Sequence, residues 1–222
     1  MYSVGNTKGQ LVNPDNRCAR ILRDWEELTE KLERFVAAGH GETEHARLAY
    51  AALLIMETGI RPGNEESAEG RVSVNKFSPN FGQPVQTFGV TTLQRRHVQI
   101  TECLTLDFIG KKAVQQTLST KNPTLIKYAP PIDSSETSWL GIDYPSLFVF
   151  VAKSIGFMYT PKDLRRARVN KVFLSYLEST PTVNKKAVSR LIKLTAAEIG
   201  HTPSVCKKSY ISNFLLFSLE AK

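Results

Sequence analysis

The stretch Gly200-His201-Thr202-Pro203-Ser204-Val205-Cys206-Lys207-Lys208-Ser209-Tyr210 governs how this chain of 222 residues is read. A histidine is followed nine residues later by a tyrosine, and two lysines stand just before the tyrosine. Helical runs flank it. Upstream, Lys185 to Ile199 places Val188, Leu191, Ile192 and Thr195 on one stripe, at the steps of three and four that mark an amphipathic helix. Downstream, Val205, Ile211, Phe214 and Leu215 predict a last helix from about Ser204 to Leu219, with the tyrosine near the start of its apolar run.

Moving back along the chain, Pro161 to Tyr176 reads as a helix with Val169, Val172, Phe173 and Tyr176 aligned and Pro161 in the first turn. Tyr144 to Ile155 is another, after a loop over 129–143. Before that loop the period changes to two. His97 to Thr101, Leu104 to Phe108 and Ala113 to Ser119 predict a small three-stranded antiparallel sheet within about 86–119, with Gly110-Lys111-Lys112 at the tip of its last hairpin. Residues 70–84, rich in Gly, Ser, Asn and Pro, read as a surface insertion. A helix from near Thr43, with Ala46, Ala49, Tyr50 and Leu53 on one face, is stopped by Gly59 and Pro62. Arg17 to Ala38 reads as one amphipathic helix through Ile21, Trp25, Leu28, Leu32 and Phe35, ended by Gly39. Residues 1–16 read as a flexible start. The expected fold is mainly α with a small antiparallel β-sheet, an α+β domain over 17–222.

Composition narrows the function. Hydrophobic residues at 41% and charged residues at 23% are those of a globular domain. Cys18, Cys103 and Cys206 are too few and too scattered for a disulfide framework or a zinc site. The start of the chain lacks a signal-peptide pattern and no window approaches eighteen apolar residues, so the expectation is a soluble, intracellular protein with no membrane partner. Net charge is +8, and it is unevenly spread. Residues 1–60 carry seven basic against nine acidic side chains, whereas from Val151 onward there are thirteen basic against four acidic. A surplus concentrated in one third of the chain suits a surface that meets phosphates.

No HExxH, DxD, GxxxxGK[ST] or GxGxxG pattern occurs, so no metal or nucleotide cofactor is expected. His40 and His45 flank a helix start and His97 is expected in a strand, which is poor geometry for a metal. Side chains must then do any phosphate chemistry. A phosphodiester breaks without metal if a nucleophile attacks phosphorus, cations absorb the transition-state charge and an acid protonates the leaving oxygen. A tyrosine can attack, but with a reference pKa of about 10 only roughly one in a thousand is ionised at neutral pH, so cations must stand close. Arginine serves best, because its fork meets phosphate oxygens bidentately and keeps its proton.

Against that requirement the 200–210 stretch resembles the type IB DNA topoisomerases, especially the compact poxviral and bacterial forms. Four further segments agree in the same order. Ile60-Arg61-Pro62-Gly63-Asn64-Glu65 looks like that family's first arginine motif, Gly89-Val90-Thr91-Thr92-Leu93-Gln94-Arg95-Arg96-His97-Val98 like its sheet segment, Phe108-Ile109-Gly110-Lys111 like its lysine hairpin, and Lys162-Asp163-Leu164-Arg165 like its second arginine motif. The resemblance makes 17–222 a catalytic domain and implies that Tyr210 attacks phosphorus and becomes joined to a 3′ phosphate. It implies that Arg61, Arg165 and His201 hold the non-bridging oxygens, and that Lys111 protonates the departing 5′ oxygen. Run backward, the same residues would reseal the strand and so relax supercoiled DNA without ATP or metal. The adjacent Lys112 leaves the choice of lysine to the family register, which places it directly after glycine. Arg95, Arg96, Lys162, Lys185, Lys186, Lys207 and Lys208, with Arg190 and Lys193, are assigned to phosphates of double-stranded DNA.

Each residue also has an ordinary reading. Tyr210 could be a core tyrosine with its hydroxyl at the surface, Arg61 a helix cap, Arg165 part of a solvated face with Arg166 and Arg168, His201 a surface residue and Lys111 a solubilising hairpin charge. The sequence also departs from the family. Only about sixty residues precede Arg61, so the usual N-terminal DNA-clamp domain is expected to be absent, and another polypeptide could supply it to a protein otherwise expected to be monomeric. Arg166-Ala167-Arg168 stands where the family tends to have a small polar and an aromatic residue. The rival activities are a tyrosine recombinase, which shares the chemistry, and an inactive DNA-binding module.

Overall fold

The computed structural model describes residues 13–72, 82–130, 138–156, 158–213 and 215–216, with the backbone alone at 71 and 112. The chain has two helices where the apolar spacing predicts one. Helix α1 (Pro14–Arg23) starts inside the segment read as a flexible start, with Pro14 in its first turn and Asn13 Oδ1 accepting from the Asp15 N–H at 2.8 Å; α2 (Trp25–Ala38) follows after a break at Asp24. The break lets each helix face its own partner, and the step from Ile21 to Trp25 runs through it unchanged. Helix α3 (Glu44–Thr58), capped by Thr43, packs on α2 and is buried on nearly every face, beyond the single face predicted. Its Tyr50 hydroxyl donates to the Leu125 carbonyl at 2.7 Å. Gly59, in the left-handed conformation at φ +71, ends α3.

A four-residue helix, α4 (Glu65–Ala68), leads to a short antiparallel pair, β1 (Arg71–Val72) with β2 (Pro84–Val85), so the two ends of the predicted insertion are joined as a ladder. Its middle, 73–81, lies outside the described residues. The predicted three-stranded sheet is present as β3 (Val98–Ile100), β4 (Leu104–Gly110) and β5 (Val114–Thr120), antiparallel in that order. In β4, Leu104, Leu106, Phe108 and Gly110 face inward and the alternate residues do not. His97 is not in a strand. It closes the 3-10 turn Arg95–His97, where its Nδ1 accepts from the Gln94 N–H at 3.0 Å. Lys111–Ala113 form a second 3-10 turn between β4 and β5.

Helix α5 (Pro123–Lys127) is too short to show a period, but Asn122-Pro123 marks its start: Asn122 Oδ1 accepts from the N–H groups of Thr124 and Leu125. Residues 131–137 of the predicted 129–143 loop are outside the described set. Helix α6 (Tyr144–Phe150) widens into a π-helical turn over Val151–Ile155. The long helix α7 (Pro161–Glu178) begins with a capping box between Thr160 and Asp163. Two cores meet on it. Leu164 and Ala167 belong to the core built by α1–α3, the sheet and α6, while Val169, Val172 and Phe173 belong to a second core with α8 (Lys185–Ile199) and the C-terminal segment. Helix α1 docks on α7 through ion pairs from Arg17 to Asp163 at 3.0 Å and from Arg166 to Asp15.

The predicted last helix is broken in its middle. Helix α9 (Pro203–Ser209) ends with Tyr210 as its C-cap, at φ −127 and ψ −48, and the chain turns there. The cause is a competing partner on α7. Asn170, fully buried, donates from Nδ2 to the Tyr210 carbonyl at 2.9 Å and accepts at Oδ1 from the Ser212 N–H at 2.9 Å. Ile211 is buried beyond the turn, whereas Val205, assigned to the apolar side, is exposed. Phe214 and residues 217–219 of that prediction lie outside the described residues. None of the described helices is long and apolar enough to cross a membrane.

Candidate active site

Arg165 stands on α7 where the two cores meet, and only 4% of it is exposed. A buried guanidinium must place its N–H groups, and it does so in three directions. Nε donates to the Gly59 carbonyl at 2.6 Å, Nη1 to the Tyr210 hydroxyl at 3.2 Å, and Nη2 contacts His201 Nε2 at 2.6 Å. One side chain thus gathers the end of α3, the C-cap of α9 and the turn between α8 and α9. The solvated-face reading of Arg165 does not hold. Its neighbours are different: Arg166 pairs with Asp15, and Arg168 with Glu198 at 3.5 Å.

The turn before α9 fixes His201 by its backbone. Gly200, left-handed at φ +72, closes α8 with its own N–H on the Ala197 carbonyl at 3.3 Å and the His201 N–H on the Ala196 carbonyl at 2.7 Å. Thr202 and Pro203 then start α9, with the Val205 N–H donating to Thr202 Oγ1 at 3.3 Å. The short helix brings Tyr210 back over His201, ring centroids 4.4 Å apart and planes 26° from parallel. The spacing of nine residues is one helix length plus its caps. Arg165 Cζ lies 5.2 Å from the Tyr210 ring centre.

Arg61 is half-buried two residues past Gly59, whose carbonyl anchors Arg165. Residues 89–92, read from sequence as part of the sheet segment, form a turn that braces it. The Val90 N–H donates to the Arg61 carbonyl at 2.7 Å, and the Thr91 N–H and hydroxyl both donate to the Pro62 carbonyl at 3.0 Å. Gly89 must be glycine for this approach, because a Cβ there would lie 2.7 Å from the Arg61 carbonyl oxygen and collide with Gly63.

The electrostatics are those of a cationic site. Burial, then the charges of Arg165 and Arg61, push the His201 imidazole down to about 3, so it is neutral at pH 7. Since arginine only donates, Nε2 of His201 accepts and the ring proton stands on Nδ1, which is buried and has no hydrogen-bond partner among the described residues. Burial also lowers Arg165, to about 10, against the pull of Tyr210 and with the push of Arg61. Arg61 is lowered by burial and raised by Tyr210. Among the described residues, no carboxylate bears on any of these three groups. Nor do three His, Cys, Asp or Glu side chains gather anywhere among them as a metal-binding group.

Of the sequence-predicted set, the structure brings Arg61, Arg165, His201 and Tyr210 together. Lys111 is exposed on the turn after β4, and the side chain of Lys112 is outside the described residues. Among the other cations, Lys185, Lys193, Lys207 and Lys208 line one groove of about 420 Å³ between α8 and α9. Arg96, Lys162, Lys186 and Arg190 are exposed, whereas Arg95 turns its Nη1 to the Val98 carbonyl at 3.1 Å and serves its own turn. Asn170 escaped the sequence reading. Its one signal is an amide placed directly beside Val169 on a helix whose next stripe residues are Val172 and Phe173.

Compared with curated proteins, the chain is similar to viral type IB DNA topoisomerases. It is 24% identical over 160 residues to "DNA topoisomerase 1B" of Acanthamoeba polyphaga mimivirus, covering 61% of this chain and 48% of that protein. It is 29% identical over 149 residues to "DNA topoisomerase I" of Monkeypox virus, and 28% over 149 residues to "DNA topoisomerase 1B" of Vaccinia virus (strain Copenhagen), with 62% of this chain and 46% of each relative covered. The chain therefore spans about half the length of the curated relatives it matches. No family model matches it.

Proposed function

We propose that this chain cleaves and reseals one strand of duplex DNA as a type IB topoisomerase, with Tyr210 as the nucleophile. The observation that carries the reading is the buried fork of Arg165 holding the Tyr210 hydroxyl and the His201 ring in a cationic site on which, among the described residues, no carboxylate bears. A phosphodiester supplies an anion that such a cationic site would hold. An arriving phosphate takes the two N–H groups that Arg165 gives to Tyr210 and His201. That frees His201 Nε2 to carry the ring proton and donate to a second oxygen, while Arg61 meets the same phosphate. The Tyr210 oxygen then bonds to phosphorus and loses its proton to water, the P–O5′ bond breaks, and Lys111 gives a proton to O5′. The 3′-phosphotyrosyl link conserves the bond energy, so the reverse steps reseal the strand. Neither ATP nor a metal enters. The lysine groove between α8 and α9 meets backbone phosphates of the same duplex.

Supercoiled plasmid incubated with the protein in EDTA, without ATP, is expected to relax, and Tyr210→Phe is expected to leave it supercoiled. Relaxation by the Phe variant would refute the assignment of the nucleophile. Joining of two different duplexes instead of relaxation would favour a recombinase.

A further inference from the structure

Gln116 lies on β5 opposite Phe108 of β4, and its half-buried side chain reaches two bare backbone points. One is Gly110, where a Cβ would sit 2.7 Å from Gln116 Cγ; the other is Gly200, where a Cβ would lie 2.7 Å from Gln116 Cδ and collide with Oε1. Gly110 directly precedes Lys111, and Gly200 directly precedes His201. The Gln116 amide is oriented by its own Nε2, which donates to the Gln115 carbonyl at 3.2 Å. Gly200 needs its left-handed φ of +72 to close α8, but Gly110, at φ −89, has a backbone that any residue adopts. At 110 the demand for glycine therefore comes from the approach of the Gln116 stem, since the Val114 carbonyl at 3.4 Å is an ordinary contact.

We infer that Gln116 is a positioning residue: clasped between Gly110 and Gly200, it docks the lysine hairpin against the His201–Tyr210 turn and so sets where Lys111 stands relative to the attacked phosphate. The inference rests on the activity proposed above. Loss of the clasp leaves Arg61, Arg165, His201 and Tyr210 in place but lets the acid drift, and a misplacement of about 1 Å costs on the order of 10²-fold in rate.

The leaving group separates this role from a merely structural one. A duplex is made around a cleavage site mapped by trapping the covalent adduct, once with the normal 5′ bridging oxygen and once with sulfur there. A thiolate, whose conjugate acid is near pKa ~8.5, departs without a proton donor. Gln116→Ala is expected to slow single-turnover cleavage of the oxygen duplex by about 10²-fold and of the sulfur duplex by less than about threefold. Gly110→Ala, which pushes on the Gln116 stem, should show the same split, and the double variant should be no slower than Gln116→Ala alone, because the clash is gone. Equal slowing on both duplexes, no slowing on either, or additive losses in the double variant would overturn the positioning role while leaving the activity intact. Failure of the unaltered protein to cleave either duplex would refute the proposed activity, and this inference with it.

Discussion

Replacing Arg165 with lysine keeps the charge and removes the fork, which makes it the sharpest probe of the arrangement. The guanidinium serves the Gly59 carbonyl at 2.6 Å, His201 Nε2 at 2.6 Å and the Tyr210 hydroxyl at 3.2 Å from three different nitrogens. A single ammonium reaching from the same helical position can serve one of these directions well. In the transition state the loss is of at least one donor to a phosphate oxygen, about 2.7–4 kcal/mol or 10²–10³-fold in rate. In the folded protein the loss is of buried hydrogen bonds, about 1–3 kcal/mol for a partner left unsatisfied. For a chain of this size that lowers the melting temperature by roughly 2–4 °C per kcal/mol. Covalent adduct formed on a duplex in single-turnover time courses gives the rate, a thermal melt gives the stability, and a binding titration at fixed salt should change little because net charge is conserved. An Arg165→Lys protein that cleaves within about threefold of the unaltered rate would show that the fork does not act on the phosphate, and the site would have to be rebuilt around another group.

The His201 imidazole of the free protein is held down to about 3, so between pH 5 and 8 the cleavage rate at subsaturating DNA should show no titration that His201→Gln abolishes. The same shift has a stability sign. The unfolded chain protonates this ring near pH 6.5 and the folded one near 3, so stability falls as pH drops through that window. His97, also lowered by burial, adds the same sign, so melts from pH 7 to 4.5 should flatten partly, not wholly, in His201→Gln. An unchanged slope would contradict the buried neutral imidazole. Asn170→Ala strips the partners of the Tyr210 carbonyl and the Ser212 N–H, and should cost about 2–4 kcal/mol in chemical denaturation and about 10²-fold in cleavage; a variant as active as the parent would mean that α7 does not hold the nucleophile. Changing Lys185, Lys193, Lys207 and Lys208 together to glutamine should weaken duplex binding and shallow its salt dependence by about 0.9 in log–log slope for each phosphate no longer neutralised. A slope that does not move would take the groove out of the DNA path.

Much of the site was readable because it is written in local spacing. His201 and Tyr210 are separated by one short helix and its caps, and Thr202-Pro203 states where that helix begins. Arg61 follows Gly59-Ile60, whose turn is forced by the end of a buried helix. What the spacing hides is competition from distant groups. The apolar positions after Tyr210 continue a helical period, yet Asn170, forty residues earlier, offers the backbone better partners and breaks the helix at the residue that matters. The same holds at Asp24, where one apolar stripe serves two helices because α1 answers to α7 and α2 to α3. Arg95 shows its charge in sequence, whereas only the fold shows that one of its N–H groups serves the Val98 carbonyl. The role of Gln116 is unreadable from spacing alone, since it depends on two glycines ninety residues apart being bare.

The most direct test is the chemical identity of the adduct. The protein is mixed with duplex DNA in EDTA, the reaction is stopped with denaturant, and the covalent complex is digested with protease and nuclease for mass spectrometry. The expected product is a nucleotide joined through its 3′ phosphate to the peptide that contains Tyr210, together with a free 5′ hydroxyl on the other strand end. An adduct on another residue, a 5′-phosphate linkage, or cleaved DNA with no protein attached would contradict Tyr210 as the nucleophile of a strand-resealing site.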